Sequence, residues 1–123
     1  MADERDPLVT SSVHRDAFVL RVSGEIDSES APCLVRQLDA GLCTGTVRTI
    51  VDLSGTAFAD SAILHALLQA QRAHRQRGLL MVLAGPFSTG LGRLFDVTGT
   101  AGHFVLADDV HSAMEVPWAV TER

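Results

Sequence analysis

A chain of 123 residues with 46% hydrophobic and 20% charged side chains is long enough for one domain with its own core and too short for two ordinary ones. That balance excludes wholesale disorder and coiled coil, and a formal net charge of −5 disfavours general binding to a phosphate backbone. All ten cationic side chains are arginine, which removes Schiff-base chemistry and the lysine of a Walker-type phosphate loop.

The N-terminal Met-Ala-Asp-Glu-Arg-Asp-Pro run is charged, and no apolar segment follows it, so no secretory leader is expected. Val13 and Ala17 to Val22 read as strand material in a hairpin turning near Arg15-Asp16, and Gly24-Glu25-Ile26-Asp27 ends it. Ala31, Leu34, Val35, Leu38 and Leu42 then recur on one face of a helix. Asp27 or Ser28 is its expected cap, Pro32 falls in or near its first turn, and Gly41 and Gly45 mark its end. Cys33 and Cys43 fall on this helix, about 15 Å apart by helical rise, so they are expected as two small buried thiols without a disulfide.

Val47 to Leu53 reads as the next strand, with Asp52 near its C-terminal end, and Ser54 to Asp60 as a connecting loop. A second helix is expected from about Ser61 to Arg77. Its polar side carries His65, Gln69, Arg72 and Gln76, and its apolar side Ile63, Leu67 and Ala70. Leu79 to Ala84 is uniformly apolar, as in a central strand covered on both faces, and far too short to cross a bilayer. After Gly85-Pro86, Ser88 or Thr89 caps a short helix through Phe95. Phe104 to Ala107 is a strand, and Asp108-Asp109 opens a last helix limited by Pro117. The expected whole is a cytoplasmic α/β single domain over 1–123, with a mixed sheet and loose ends at about 1–7 and 119–123.

Little in this pattern suits catalysis. His65 and His74 point to opposite sides of their helix, and neither His-x-x-x-His nor Cys-x-x-Cys occurs, so no metal site is expected. Asp60, Ser61 and His65 hold the residue types of a serine hydrolase, but the glycines of a nucleophile elbow are missing around Ser61. Ser88-Thr89-Gly90-Leu91-Gly92 has a lone Gly-x-Gly without lysine and reads as a helix cap rather than a phosphate loop. The informative stretch is Phe58-Ala59-Asp60-Ser61: Asp60 is placed to cap the second helix, and Ser61 is placed where a phosphate would meet free N–H groups. Cap and switch are equally open from these residues alone.

The run Val51-Asp52-Leu53-Ser54-Gly55-Thr56-Ala57-Phe58-Ala59-Asp60-Ser61, with Leu79 to Pro86 beyond it, resembles the STAS family of sulfate-transporter and anti-sigma-factor-antagonist domains. Gly24-Glu25-Ile26-Asp27 and Arg93-Leu94-Phe95-Asp96-Val97-Thr98-Gly99 are similar to two further segments of that family, so the likeness runs from about Val13 to Ala113. The resemblance implies a mixed sheet of four to five strands with helices packed mainly on one face. It also implies a regulatory role without catalysis, cofactor or metal: a bacterial protein that binds an anti-sigma factor, often a serine kinase, and so frees a sigma factor.

By the same resemblance Ser61 is the phosphoacceptor, a phosphatase resets it, and Asp27 and Asp60 lie near it. Gly55, Thr56, Phe58, Asp60, Ser61, Ala62, His65 and Gln69 are the expected partner surface, and a homodimer is a further arrangement open to the chain. Where the family motif continues with Ser or Thr and then Gly, this chain has Ala62-Ile63. A β-branched residue there is expected to restrict the backbone and add bulk beside Ser61, which favours binding over switching. The rival readings are a permanent STAS subunit of a larger signalling or lipid-transport assembly, and a small serine hydrolase.

Overall fold

A computed structural model describes residues 9–117; the ends expected to be loose lie outside the described residues. The chain enters as a hairpin, β1 (Val9–His14) against β2 (Ala17–Ile26), closed by the two-residue turn Arg15-Asp16 with Arg15 at φ 58°. Helix α1 (Ala31–Gly41) leads to β3 (Arg48–Ala59), helix α2 (Ser61–Gln76) to β4 (Leu80–Ala84), and helix α3 (Thr89–Thr98) to β5 (Val105–Ala107). A short helix α4 (Val110–Met114) follows.

The strands lie in the order β1-β2-β3-β4-β5, antiparallel for the first pair and parallel for the rest. Because successive parallel strands step the same way across the sheet, crossovers of one hand place all three connecting helices on one face. The packing agrees. Phe18, Leu20, Val22, Val51, Leu53, Met81 and Leu83 meet Leu34, Leu38, Ile63, Leu67, Leu91 and Phe95 in the main core. The alternate positions Ala17, Val19, Ile50, Val82 and Ala84 meet Ala113 of α4 on the other face. Interior strands with both faces covered explain the unbroken apolar runs, and the alanines let α4 lie close.

Several boundaries differ from the sequence expectation. Ser54 to Ala59 is strand, not loop: β3 continues alongside β2 to the pair Ile26↔Ala59. Two register shifts add an extra β3 residue each, between Arg21 and Ser23 and between Gly24 and Glu25, which hides the period of two. Gly24 sits at φ 88° at the second shift, and a Cβ on Gly55 would come within 3.2 Å of the Ser23 Cβ, so glycine lets the strands close.

Neither Asp27 nor Ser28 caps α1. Its N-cap position is Ser30, without a side-chain bond, while Asp27 Oδ1 accepts from the N–H groups of Glu29 and Ser30 one turn earlier. Helix α1 stops at Gly41, so Cys43 lies beyond it and is exposed, and Cys33 is half-buried; the pair of buried thiols is not what forms, and both cysteines are free. Helix α3 runs past Phe95 to Thr98 and ends on Gly99 at φ 69°.

Candidate functional site: the N-terminal end of helix α2

The site begins with the end of β3. Asp60 N–H donates to the Ile26 carbonyl at 3.3 Å, which seats the start of α2 beside the turn that Asp27 organises. Asp60 is extended (φ −98°, ψ −177°), and its Oδ1 accepts from Ala62 N–H at 3.0 Å and Ile63 N–H at 3.3 Å. This is the expected cap: an anionic side chain satisfies two N–H groups that the helix cannot. Ser61 is the first helical residue and is exposed, and its hydroxyl makes no hydrogen bond to a described residue.

The expected residues divide into those that share this surface and one that does not. Phe58, 52% exposed, stands on the last stretch of β3 beside Gly55, and His65 and Gln69 continue the exposed surface along α2. Ala62 is half-buried, and Asp27 is exposed on the neighbouring turn. Thr56 is the exception. It is buried at 2% exposure, and its hydroxyl donates to the Val22 carbonyl at 2.8 Å, a bond that ties β3 to β2 at the irregular register. Ile63 also differs from expectation: at 1% exposure its side chain enters the main core and adds no bulk beside Ser61.

Two features border the site that sequence reasoning passed over. A groove of about 280 Å³ runs between α1 and α2, lined by Val35, Leu38, Asp39, Ala66, Gln69, Ala70 and Ala73. Its only sequence trace is the run of small residues beside Gln69. The start of α3 also abuts β3: Ser88 Oγ donates to the Ala57 carbonyl at 3.0 Å while accepting from Leu91 N–H. Ser88 was legible as a cap, but not as a brace for the strand that carries Phe58.

A hydrolase triad is not assembled among the described residues. Asp60 is committed to the helix N–H groups, and no hydrogen bond joins Ser61 to His65. Nor does any group of three His, Cys, Asp or Glu side chains among them have the spacing of a metal site. No helix among the described residues is long and apolar enough to cross a membrane. What the geometry brings together is an exposed hydroxyl and an exposed aromatic ring, flanked by two carboxylates and a histidine.

The family model described as "Mlab, STAS domain" matches residues 9–107, from β1 through β5 with the serine end of α2 inside. The anti-sigma-B factor antagonist of Listeria monocytogenes is 35% identical over 86 residues, which cover 70% of this chain and 72% of the relative. That of Staphylococcus epidermidis is 30% identical over 91 residues, or 74% of this chain and 83% of the relative. An anti-sigma factor antagonist from Mycobacterium paratuberculosis has the same fold, with a TM-score of 0.72 at 24% identity over 87% of this chain and 90% of that one. Matched over its whole sheet and by relatives of similar length, the chain belongs to the STAS domain family and is anti-sigma-factor-antagonist-like within it.

Proposed function

We propose that this chain is a cytoplasmic, non-catalytic anti-sigma factor antagonist that docks through the N-terminal end of α2 on an anti-sigma factor of the serine-kinase type, with Ser61 as the phosphoacceptor that a phosphatase resets. The relatives' names support the antagonist role. The observation that carries the site is the setting of Ser61, the first residue of a capped helix, exposed and with its hydroxyl unbonded to any described residue, near an exposed Phe58. A phosphate there adds about −1.5 to −2 charges next to Asp60 and the Asp27 turn. The helix N-terminus accommodates part of that charge, so the fold survives while the docking surface turns strongly anionic.

The test starts with a pull-down from native lysate, read by mass spectrometry for the partner and for phosphate on Ser61. Calorimetric titration of that partner should give the same affinity for wild type and Ser61→Ala, and an affinity at least tenfold lower for Ser61→Asp, since like charge at a contact costs several kcal/mol. Incubation of the partner with ATP should place phosphate on Ser61. His65→Ala and Gln69→Ala should weaken binding while the melting temperature stays within about a degree or two, as expected of exposed positions. Unfolding of both variants would show that face to be structural.

One observation favours a second reading, a permanently bound subunit that never switches. The positions after Ser61 are Ala62 and Ile63, and Ile63 is locked in the core, so this turn has none of the backbone freedom a glycine would give. Equal affinity of all three Ser61 forms, with no phosphate transferred and stable co-purification in a larger complex, selects that reading.

A further inference from the structure

The opposite end of α2 carries a second concave surface. Arg72 and Arg75, one turn apart, line a cleft of about 270 Å³ with Leu68 and Gln71, and Thr100 and His103 close it from the segment after α3. Arg72 stands eleven positions beyond Ser61, about 16 Å along the helix axis, so it lies away from the Ser61 end, although only one turn beyond Gln69.

Helix polarity alone does not account for it. Arginine in the last turn complements the macrodipole, but Arg72 precedes that turn, and Thr100 and His103 belong to another element. The ion pairs among the described residues use Arg21, Arg48 and His111. Neither the Arg72 nor the Arg75 guanidinium bonds to a described residue, although the chain carries 15 carboxylate side chains.

We infer that this cleft is a docking site for an acidic segment of a partner protein, whose Asp or Glu carboxylates pair with Arg72 and Arg75. Guanidinium forks match carboxylates in geometry as well as charge, and Leu68 offers an apolar wall to the stem of a glutamate. The cleft is below the roughly 300 Å³ at which pockets enclose a small molecule, and its one ring is the small His103 imidazole, with no Phe, Tyr or Trp lining it, so it suits a side-chain end better than a nucleotide. Gln71 Oε1 is shut from water and meets no donor among the described residues. Once that amide swings outward, a peptide N–H satisfies it, which a bare anion cannot do. A concave site with two arginines, on a chain of net charge −5, suits a peptide better than a flat anionic bilayer. The site stands whether or not Ser61 is a switch.

The test is fluorescence polarisation of a fluorescein-labelled hexaglutamate peptide on the full chain, with hexaglutamine as the uncharged control. Wild type should bind hexaglutamate, less tightly as salt rises. The double variant Arg72→Gln/Arg75→Gln should bind about tenfold more weakly, the scale of two partly exposed ion pairs. Arg36→Gln, an exposed arginine on α1, should bind like wild type, and all three should share one melting temperature. Equal binding by the double variant overturns the assignment, as does equal binding of hexaglutamine. Displacement of the peptide by inorganic phosphate at equal charge reassigns the cleft to a small oxyanion. Capture of wild type, but not the double variant, on phosphatidylserine vesicles reassigns it to a membrane surface.

Discussion

Thr49 and Gly41 show how closely single residues are fitted in the main core. The Thr49 hydroxyl lies 2.8 Å from His74 Nε2, and a Cβ built on Gly41 would stand 2.6 Å from that same oxygen and 3.0 Å from the Phe18 ring. Gly41→Ala should therefore cost about 1–3 kcal/mol, as overpacking does, measured by urea unfolding; a change within a few tenths would mean that α1 shifts freely. The sequence marked Gly41 only as a helix stop, because periodicity registers which face a residue occupies and not what lies opposite. The same limit hid Thr56, whose partner is a backbone carbonyl 34 positions away. Asp60 was legible because a cap and its N–H partners lie within three residues.

Elements were legible where one rule governs the whole segment, and failed where two compete. The apolar face of α2 and the run of β4 follow a single period each, and both form where expected. The second half of β3 contains Ser54, Gly55 and two bulges, so turn-forming composition masked a strand held by its pairing with β2. That strand delivers Asp60 to its capping position. Asp60→Ala should destabilise by about 1 kcal/mol, and Asp60→Asn by much less, since asparagine caps nearly as well; thermal unfolding of both variants checks the ranking.

At the other end of β3, Arg48 reaches from beneath the sheet to α4. Its Nη1 donates to the carbonyls of Ala113 at 3.0 Å and Val116 at 2.8 Å, with Asp16 at 3.5 Å from Nε. Replacing Arg48 with Met takes the side-chain donor from the Val116 carbonyl, at about 1–3 kcal/mol if it stays dry, while the Ala113 carbonyl keeps a backbone N–H from Val116 at 3.4 Å. Hydrogen exchange should then speed up in α4 before it does in α2. Uniform acceleration across both helices would show that Arg48 serves the whole fold and does not specifically hold α4.

On the scale of the whole molecule, the buried side chain that joins the helical layer to the sheet is a titratable one. His74, 1% exposed, places Nδ1 2.8 Å from the Ala70 carbonyl and Nε2 2.8 Å from the Thr49 hydroxyl. The carbonyl can only accept, so Nδ1 carries the proton; in the neutral ring that burial favours, Nε2 accepts from the Thr49 hydroxyl. Burial holds the His74 pKa below its ordinary value; the Ala70 bond and the charge of Asp39 pull it up, and Arg77 pushes it down. Above pH about 6.5 the ring is neutral in both folded and unfolded chains and contributes no pH dependence. Below that, the unfolded chain takes up a proton that the folded one refuses, so stability falls with pH until the folded ring itself titrates.

The buried Asp52 acts in a lower window. Burial raises its pKa, but the Ser54 hydroxyl and N–H and the Arg21 guanidinium outweigh that and hold it below the ordinary 3.8, so its contribution is lost only in stronger acid. Urea unfolding from pH 8 to pH 5 should thus show constant stability down to about pH 6.5 and a decline beneath it, and His74→Gln should flatten the decline. Should the variant keep the wild-type decline, the proton uptake does not belong to His74, and His74 is not a neutral pin between helix and sheet.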